Sequence, residues 1–160
     1  MWAITQEQFS ELGLSGEFDS NGGYISLIDI CNNNGIKTAL WATRYLDNNH
    51  DNDLWEYGNW CTDRVKELLI REQLNRKNGI PSLFSFDENI IDELIKTRND
   101  VYNNTFLHVL SNTYNFGEAV NKGIYAAVYS TSFVVDNIVQ LDQPVMFIKM
   151  CEGNAPWQQK

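Results

Sequence analysis

Residues 53–71 read DLWEYGNWCTDRVKELLIR, and this stretch decides the fold class of the chain. Its large apolar side chains recur at steps of three and four residues, which places them on one face of an α-helix. They are Leu54, Tyr57, Trp60, Cys61, Val65, Leu68 and Leu69. Arg76 and Lys77 suit the C-terminus of a helix, and Asn78-Gly79-Ile80-Pro81 is a stop signal. The pattern predicts a helix over 53–75.

Five further helices are predicted from start signals and from the same period. Thr5 followed by Gln8 is a capping-box pattern, in which each side chain bonds the backbone N–H of the other residue. Ser26 is the N-cap of a second short helix, and Gly35 supplies the left-handed residue that ends it. The glycine-rich segment 18–24 between these two helices is expected to be a loop. The three longer helices are predicted near 37–46, 87–110 and 117–140.

Part of the C-terminal third is ambiguous between helix and strand. Phe133-Val134-Val135 is a β-branched cluster that competes with the helical period. Residues 145–150, after Pro144, suit either a short edge strand or an extended segment packed on the helices. We expect an all-α fold, a compact bundle of about six helices in a single domain over 1–160, with the short C-terminal strand or extended segment as the open alternative.

The apolar stripes of the helices define a candidate core. We expect its members to pack the interior rather than to carry chemistry. They are Leu40, Trp41, Trp60, Cys61, Val65, Leu68, Ile91, Leu94 and Val128.

Composition narrows the classes of function. The chain has 21 acidic and 12 basic residues, a net charge of −9, and 43% hydrophobic residues. Disorder is not expected from so apolar a sequence, and direct nucleic-acid binding through a basic face is not expected at this charge. The N-terminus lacks a signal-peptide pattern, and Cys31, Cys61 and Cys151 are odd in number and widely spaced. We therefore expect a cytoplasmic protein without membrane contact.

Residues 47–53 begin like a calcium-binding loop, with Asp47, Asn49 and Asp51 at the first, third and fifth positions. The pattern then fails, because the glycine of the sixth position and the glutamate of the twelfth are missing. The competing interpretation is a solvated connector in which Asp53 is the N-cap of the following helix.

Neither the histidines nor the cysteines form a recognisable catalytic set. His108 has apolar neighbours on both sides and is expected to be a core histidine, and His50 has no metal-ligand spacing to another residue. Cys61 lies on the apolar stripe beside Trp60, which is typical of a buried thiol. A cysteine–histidine pair that meets only in the fold stays open. With no phosphate-binding or dinucleotide motif, we expect no enzyme, no metal and no cofactor.

Two groups of carboxylates are candidate partner-binding clusters. They are Asp47, Asp51 and Asp53 in the first cluster, and Asp87, Glu88, Asp92 and Glu93 in the second. Five tryptophans accompany them, and Trp and Tyr are the preferred anchors of protein interfaces. An acidic surface with a few aromatic anchors suits a protein that binds a partner.

The segment GIKTALWATR at 35–44, followed by LWEYGNWCTDRV at 54–65, resembles a group of small phage and prophage proteins. In that group an ALWxxR helix precedes an aromatic helix that carries WC and then R and V. The resemblance spans about residues 27–70, and the Asn-rich second half departs from the Ala- and Asp-rich helices usual in the group. It implies a phage or mobile-element accessory protein, and it carries over no functional residue.

Three hypotheses for the function follow. The first is an accessory protein that binds and inhibits a bacterial host or defence protein, in an anti-restriction or anti-CRISPR-like role. Its acidic surface would mimic nucleic acid and fit a basic cleft. The second is an immunity protein that neutralises a basic bacterial toxin, and the third is a small enzyme or a structural oligomer. The oligomeric state and the binding face are open.

Overall fold

The computed structural model describes residues 1–13, 22–80, 89–139 and 142–159. These residues form seven α-helices, three short 3-10 helices and one two-stranded sheet, so the predicted all-α class is confirmed. In chain order the main elements are β1 (Ala3–Thr5), α1 (Gln6–Glu11), β2 (Tyr24–Ser26), α2 (Leu27–Asn34), α3 (Ile36–Ala42), α4 (Asp51–Lys77), α5 (Ile90–Thr113), α6 (Phe116–Val139) and α7 (Asp142–Cys151). The 3-10 helices are Thr43–Tyr45, Asn48–His50 and Pro156–Gln158.

Helix α6 packs against both α4 and α5, and α5 lies at the outside of the bundle with Leu94 as its one buried residue. Helix α5 runs antiparallel to α4, because Trp55 contacts Tyr102 whereas Asn59, one turn further along α4, contacts Arg98, one turn earlier along α5. Helix α6 folds back on α5 and packs closely against it. A Cβ atom on Gly123 of α6 would lie only 2.9 Å from the Tyr102 ring. The small residue at this position permits the close approach of the two helices.

A small sheet and α1 cover the N-terminal end. Strands β1 and β2 pair antiparallel with Ile4 opposite Ile25, and both of these side chains are buried in the core. The expected loop over 18–24 is wrong at Tyr24, which lies in β2, while residues 18–21 lie outside the described residues. Helix α1 has the predicted capping box, in which the Gln8 N–H donates to the Thr5 hydroxyl oxygen at 3.1 Å and the Thr5 N–H donates to Gln8 Oε1 at 2.9 Å.

Helices α2 and α3 are separated by Gly35 alone. The Ser26 side chain accepts the Ile28 N–H at 3.1 Å, so the predicted N-cap of α2 is confirmed. Gly35 has a φ of 94° and is the boundary residue of both helices. Only glycine adopts such a backbone conformation without steric cost, which lets the chain change direction within one residue.

Helix α7 replaces the strand or extended segment considered for 145–150. It spans Asp142–Cys151, and Pro144 is tolerated because the first turn of a helix leaves its backbone N–H groups unpaired. The fully buried Gln143 fixes α7 to its neighbours. The Tyr57 hydroxyl of α4 donates to Gln143 Oε1 at 2.9 Å, and Gln143 Nε2 donates to the Ser132 carbonyl of α6 at 3.2 Å.

Five of the nine candidate core residues are buried, with 0–3% of their surface exposed. They are Leu40, Cys61, Val65, Leu94 and Val128. Three others are half-buried and pack against the edge of the core, namely Trp60, Leu68 and Ile91.

The expectation for Trp41 is wrong, because 43% of its surface is exposed. Ile36, Ala39 and Leu40 form the inward face of α3. Trp41 follows Leu40 by one residue, which rotates its side chain about 100° away from the core.

Candidate interaction face

The first acidic cluster begins with Asp47, which caps the short helix Asn48–His50. Its carboxylate accepts the Asn49 N–H at 3.0 Å and lies 2.9 Å from Nδ1 of His50. Desolvation acts to raise the pKa of Asp47, but the hydrogen bonds from His50 and Asn49 outweigh it and lower the pKa below its usual value. Asp47 is therefore an ionised, exposed residue that also holds its own segment in place.

Asp51 joins this segment to the start of α6. Asn121 donates to one oxygen of the Asp51 carboxylate at 2.8 Å, and Asn48 donates to the other oxygen at 2.8 Å. Asn48 also donates to the Gly117 carbonyl in the first turn of α6 at 2.9 Å. The Asp47–Asp51 segment thus lies directly beside the turn that connects α5 and α6.

Asp53, the third carboxylate of the first cluster, contacts a different part of the chain from Asp47 and Asp51. Helix α4 begins at Asp51, so the interpretation of Asp53 as its N-cap is wrong. The Asp53 carboxylate instead accepts the indole N–H of Trp157 at 3.2 Å. Within the described parts of the chain, no three His, Cys, Asp or Glu side chains are arranged to hold a metal ion.

The turn between α5 and α6 exposes two aromatic rings next to this acidic segment. Tyr114 ends α5 in the left-handed conformation, with a φ of 52°. The Tyr114 side chain is 88% exposed, and that of Phe116 is 67% exposed. Among the described residues they are the two most exposed Phe, Tyr or Trp side chains, and they lie two residues apart.

A continuous series of aromatic contacts runs from this turn to α4. The ring centroids of Phe116 and Phe106 lie 5.6 Å apart, those of Phe106 and Tyr102 lie 6.0 Å apart, and those of Tyr102 and Trp55 lie 5.8 Å apart. These rings and the neighbouring carboxylates form a surface that we call the acidic–aromatic face. It comprises Asp47, Asp51, Trp55, Tyr102, Phe106, Tyr114 and Phe116.

The described members of the second acidic cluster, Asp92 and Glu93, lie apart from the first cluster. Asp92 and Glu93 are exposed in the first turn of α5, while Asp87 and Glu88 lie outside the described residues. The antiparallel pairing of α4 and α5 places Asp92 roughly opposite residue 65, which is about 20 Å from Asp51 along α4 at 1.5 Å per residue. Asp92 and Glu93 are therefore a separate acidic surface.

A second aromatic surface, which was not predicted from the sequence, lies between α6 and the segment formed by α3 and the 3-10 helix after it. Lys37 lies 4.5 Å from the centre of the Phe133 ring, Trp41 lies 6.4 Å from Tyr129, and Arg44 lies 5.8 Å from Tyr125. These three pairs follow one another along the antiparallel helices and give the exposed Trp41 ring a structural role. The spacing of the three α6 rings at four-residue steps is the signal that could have revealed the surface.

The thiols and histidines do not form a catalytic pair in the part of the chain that the structure describes. Cys61 is fully buried, and its burial raises the pKa of the thiol; burial likewise raises the pKa of Cys31 to about 11. The expectation of a core position for His108 is wrong, because its side chain is exposed on α5 and lies 3.3 Å from Nδ2 of Asn112. His50 contacts Asp47 and lies 3.0 Å from the Met1 carbonyl oxygen.

Comparison of the chain with protein-family models, with curated proteins and with solved structures finds no match. The resemblance to small phage proteins therefore stays a prediction. In the described ranges, no helix has an apolar stretch long enough to cross a membrane.

Proposed function

We propose that the protein is a phage-type accessory factor that binds and inhibits a basic protein of the bacterial host or of its defence systems. The binding surface in this proposal is the acidic–aromatic face. The observation that carries it is the position of the exposed Tyr114 and Phe116 rings beside the Asp47–Asp51 segment. Asn48 of this segment donates to the Gly117 carbonyl, which lies next to the turn that holds the two rings.

Charge and aromatic surface have separate roles in this proposal. The net charge of −9 attracts a basic partner over a distance and raises the association rate. The exposed rings supply the apolar area that is buried on contact and that slows dissociation. Inhibition follows because an acidic face can occupy a cleft whose lysine and arginine side chains otherwise contact nucleic acid.

The backbone at Tyr114 supports a role in binding. A non-glycine residue in the left-handed conformation costs about 1–2 kcal/mol. A ring that is 88% exposed recovers little of this energy by packing within the chain. The tyrosine is therefore explained better by a contact that forms when the partner binds than by the stability of the free protein.

The test compares two variants that lose the same charge. Asp47→Asn with Asp51→Asn alters the face, and Asp92→Asn with Glu93→Gln alters the separate acidic surface. Each variant and the wild type is used to capture proteins from bacterial lysate, and the captured protein is then purified and assayed for its own activity. We expect the wild type and the second variant to inhibit that activity and the first variant to inhibit it at least roughly tenfold less well.

Two results would contradict the proposal. One is equal inhibition by the two variants, since the face would then have no special role. The other is a captured protein that is acidic and binds independently of salt, because contacts between exposed charges weaken as ionic strength rises. If the captured protein is a toxin encoded beside this chain, the protein acts as an immunity protein, and the same face binds the toxin.

A further inference from the structure

The acidic–aromatic face contains a groove of about 470 Å³ between α4, α5 and α6. Its lining combines one carboxylate, two side-chain amides, two aromatic rings and one aliphatic side chain. These are Asp51, Asn52, Trp55, Asn99, Tyr102 and Ile124. The volume is in the range of sites that hold a small ligand or a single side chain of a partner.

The carboxylate of Asp51 gives the groove its charge. Both of its oxygens accept an amide N–H, from Asn121 and Asn48. Lys122 is near enough to interact with it electrostatically, but in the described residues no cation lies within ion-pair distance of Asp51. Each carboxylate oxygen has a second lone pair. Asp51 can therefore accept a further hydrogen bond from a cationic group without losing its present partners.

The Trp55 and Tyr102 rings of the groove also suit a cationic group. Trp55 already contacts one cation, because the Arg98 guanidinium lies 4.7 Å from the centre of its ring. Arg98 does not line the groove, and its guanidinium donates a hydrogen bond of 2.7 Å to Asn59, one turn further along α4. Its charge is also offset by favourable interactions with Asp63 and Glu56, which limits its repulsion of a second cation.

The groove is held in shape before any ligand enters. The Tyr102 ring is fixed between the backbone of Gly123 and the ring of Phe106. The Asp51 carboxylate is fixed by its two amide donors. A rigid site loses less conformational entropy on binding than a flexible one.

We propose that this groove binds the side chain of a lysine on the basic partner, an inference that rests on the proposed function. The ammonium group donates to Asp51 and to the amide oxygens of Asn52 and Asn99, while the methylene stem lies against Trp55 and Ile124. Lysine fits better than arginine, because its ammonium group donates three hydrogen bonds from one atom and can reach Asp51 and both amide oxygens together, whereas the donors of arginine are held in one plane.

The experiment is an NMR titration with four small probes. They are the N-acetyl methylamides of lysine, norleucine, arginine and glutamate, followed through the indole N–H resonance of Trp55. Norleucine has the apolar stem without the ammonium group. We expect the lysine probe to shift this resonance in a saturable manner, and to bind roughly three- to tenfold more tightly than each of the others.

Variants make the assignment specific. Asp51→Asn removes the charge but keeps an oxygen that can accept from Asn121. Asn99→Ala removes an exposed amide that makes no hydrogen bond in the described residues. Both variants should bind the lysine probe more weakly. Asp92→Asn is the control and should leave it unchanged. The proposal is overturned if norleucine or arginine binds as tightly as lysine, or if the groove variants and the control behave alike.

The outcome separates this inference from the proposed function. If the partner still depends on the face while no probe prefers the groove, only the lysine site is wrong. If the lysine probe binds but inhibition of the partner is the same for both charge variants, the proposed function is wrong and the groove remains a cation site.

Discussion

Replacing Tyr114 by glycine should stabilise the protein. Tyr114 has a φ of 52° and is 88% exposed, so the substitution relieves backbone strain and removes few contacts. The relief amounts to about 1–2 kcal/mol, and the greater freedom of glycine in the unfolded chain offsets about 0.5–1 kcal/mol of it. The expected net gain is about 0.5–1 kcal/mol, or about 1–4 °C in Tm for a chain of this length.

Tyr114→Ala is the matched control, because it removes the ring but keeps a Cβ atom in the left-handed conformation. We expect its unfolding free energy to stay within about 0.5 kcal/mol of the wild type. Calorimetry and urea denaturation measure all three proteins. A Tyr114→Gly protein that is no more stable than Tyr114→Ala would refute the strain argument. In the proposed function both variants bind the partner more weakly, so stability and binding change in opposite directions for the glycine variant.

Three further predictions concern packing and titration. Gly123→Ala should lower the free energy of unfolding by about 1 kcal/mol or more despite the higher helix propensity of alanine, because the new methyl group clashes with the Tyr102 ring of α5. Gly117→Ala is the control: a Cβ atom there has ordinary contact distances, and the variant should be nearly neutral in the same denaturation assay. Gln143→Leu should cost about 2 kcal/mol or more in urea denaturation, because the Tyr57 and Ser132 hydroxyls lose the side-chain oxygen that accepts their hydrogen bonds, and the Ser132 carbonyl loses its amide donor. Burial raises the pKa of Cys31 to about 11, so above about pH 9 the thiol keeps its proton in the folded chain and loses it in the unfolded chain. The free energy of unfolding should therefore fall as pH rises from 9 to 11, and it should fall less for Cys31→Ala.

Local signals in the sequence predicted much of the fold. The capping box at Thr5 and the N-cap at Ser26 depend on side chains within three residues of each other, and the structure has both. The long helices follow from the period of their apolar residues. Helix α7 was harder to predict, because Pro144 resembles a break unless the helix start at Asp142 is known. The short β1–β2 pair joins segments about twenty residues apart, and three-residue strands leave almost no periodic signal.

The candidate face was only partly predictable. The carboxylates of 47–53 could be identified from composition, but their partners, such as Asn121 and Trp157, lie far away in the sequence. The contact between Trp55 and Tyr102 depends on the register of α4 against α5, which helical periodicity does not specify. The errors at Trp41 and His108 have a similar origin, since apolar neighbours do not reveal which side of a helix faces solvent.

Hydrogen–deuterium exchange on the complex tests the central claim most directly. Backbone amides at 47–50 and 113–117 belong to the face, and those at 90–93 belong to the start of α5; all of these lie at helix ends or turns, where exchange in the free protein is fast. The account predicts that the bound partner slows exchange at 47–50 and 113–117 and leaves 90–93 unchanged. Slowed exchange at 90–93 alone, with 47–50 and 113–117 unaffected, would contradict it.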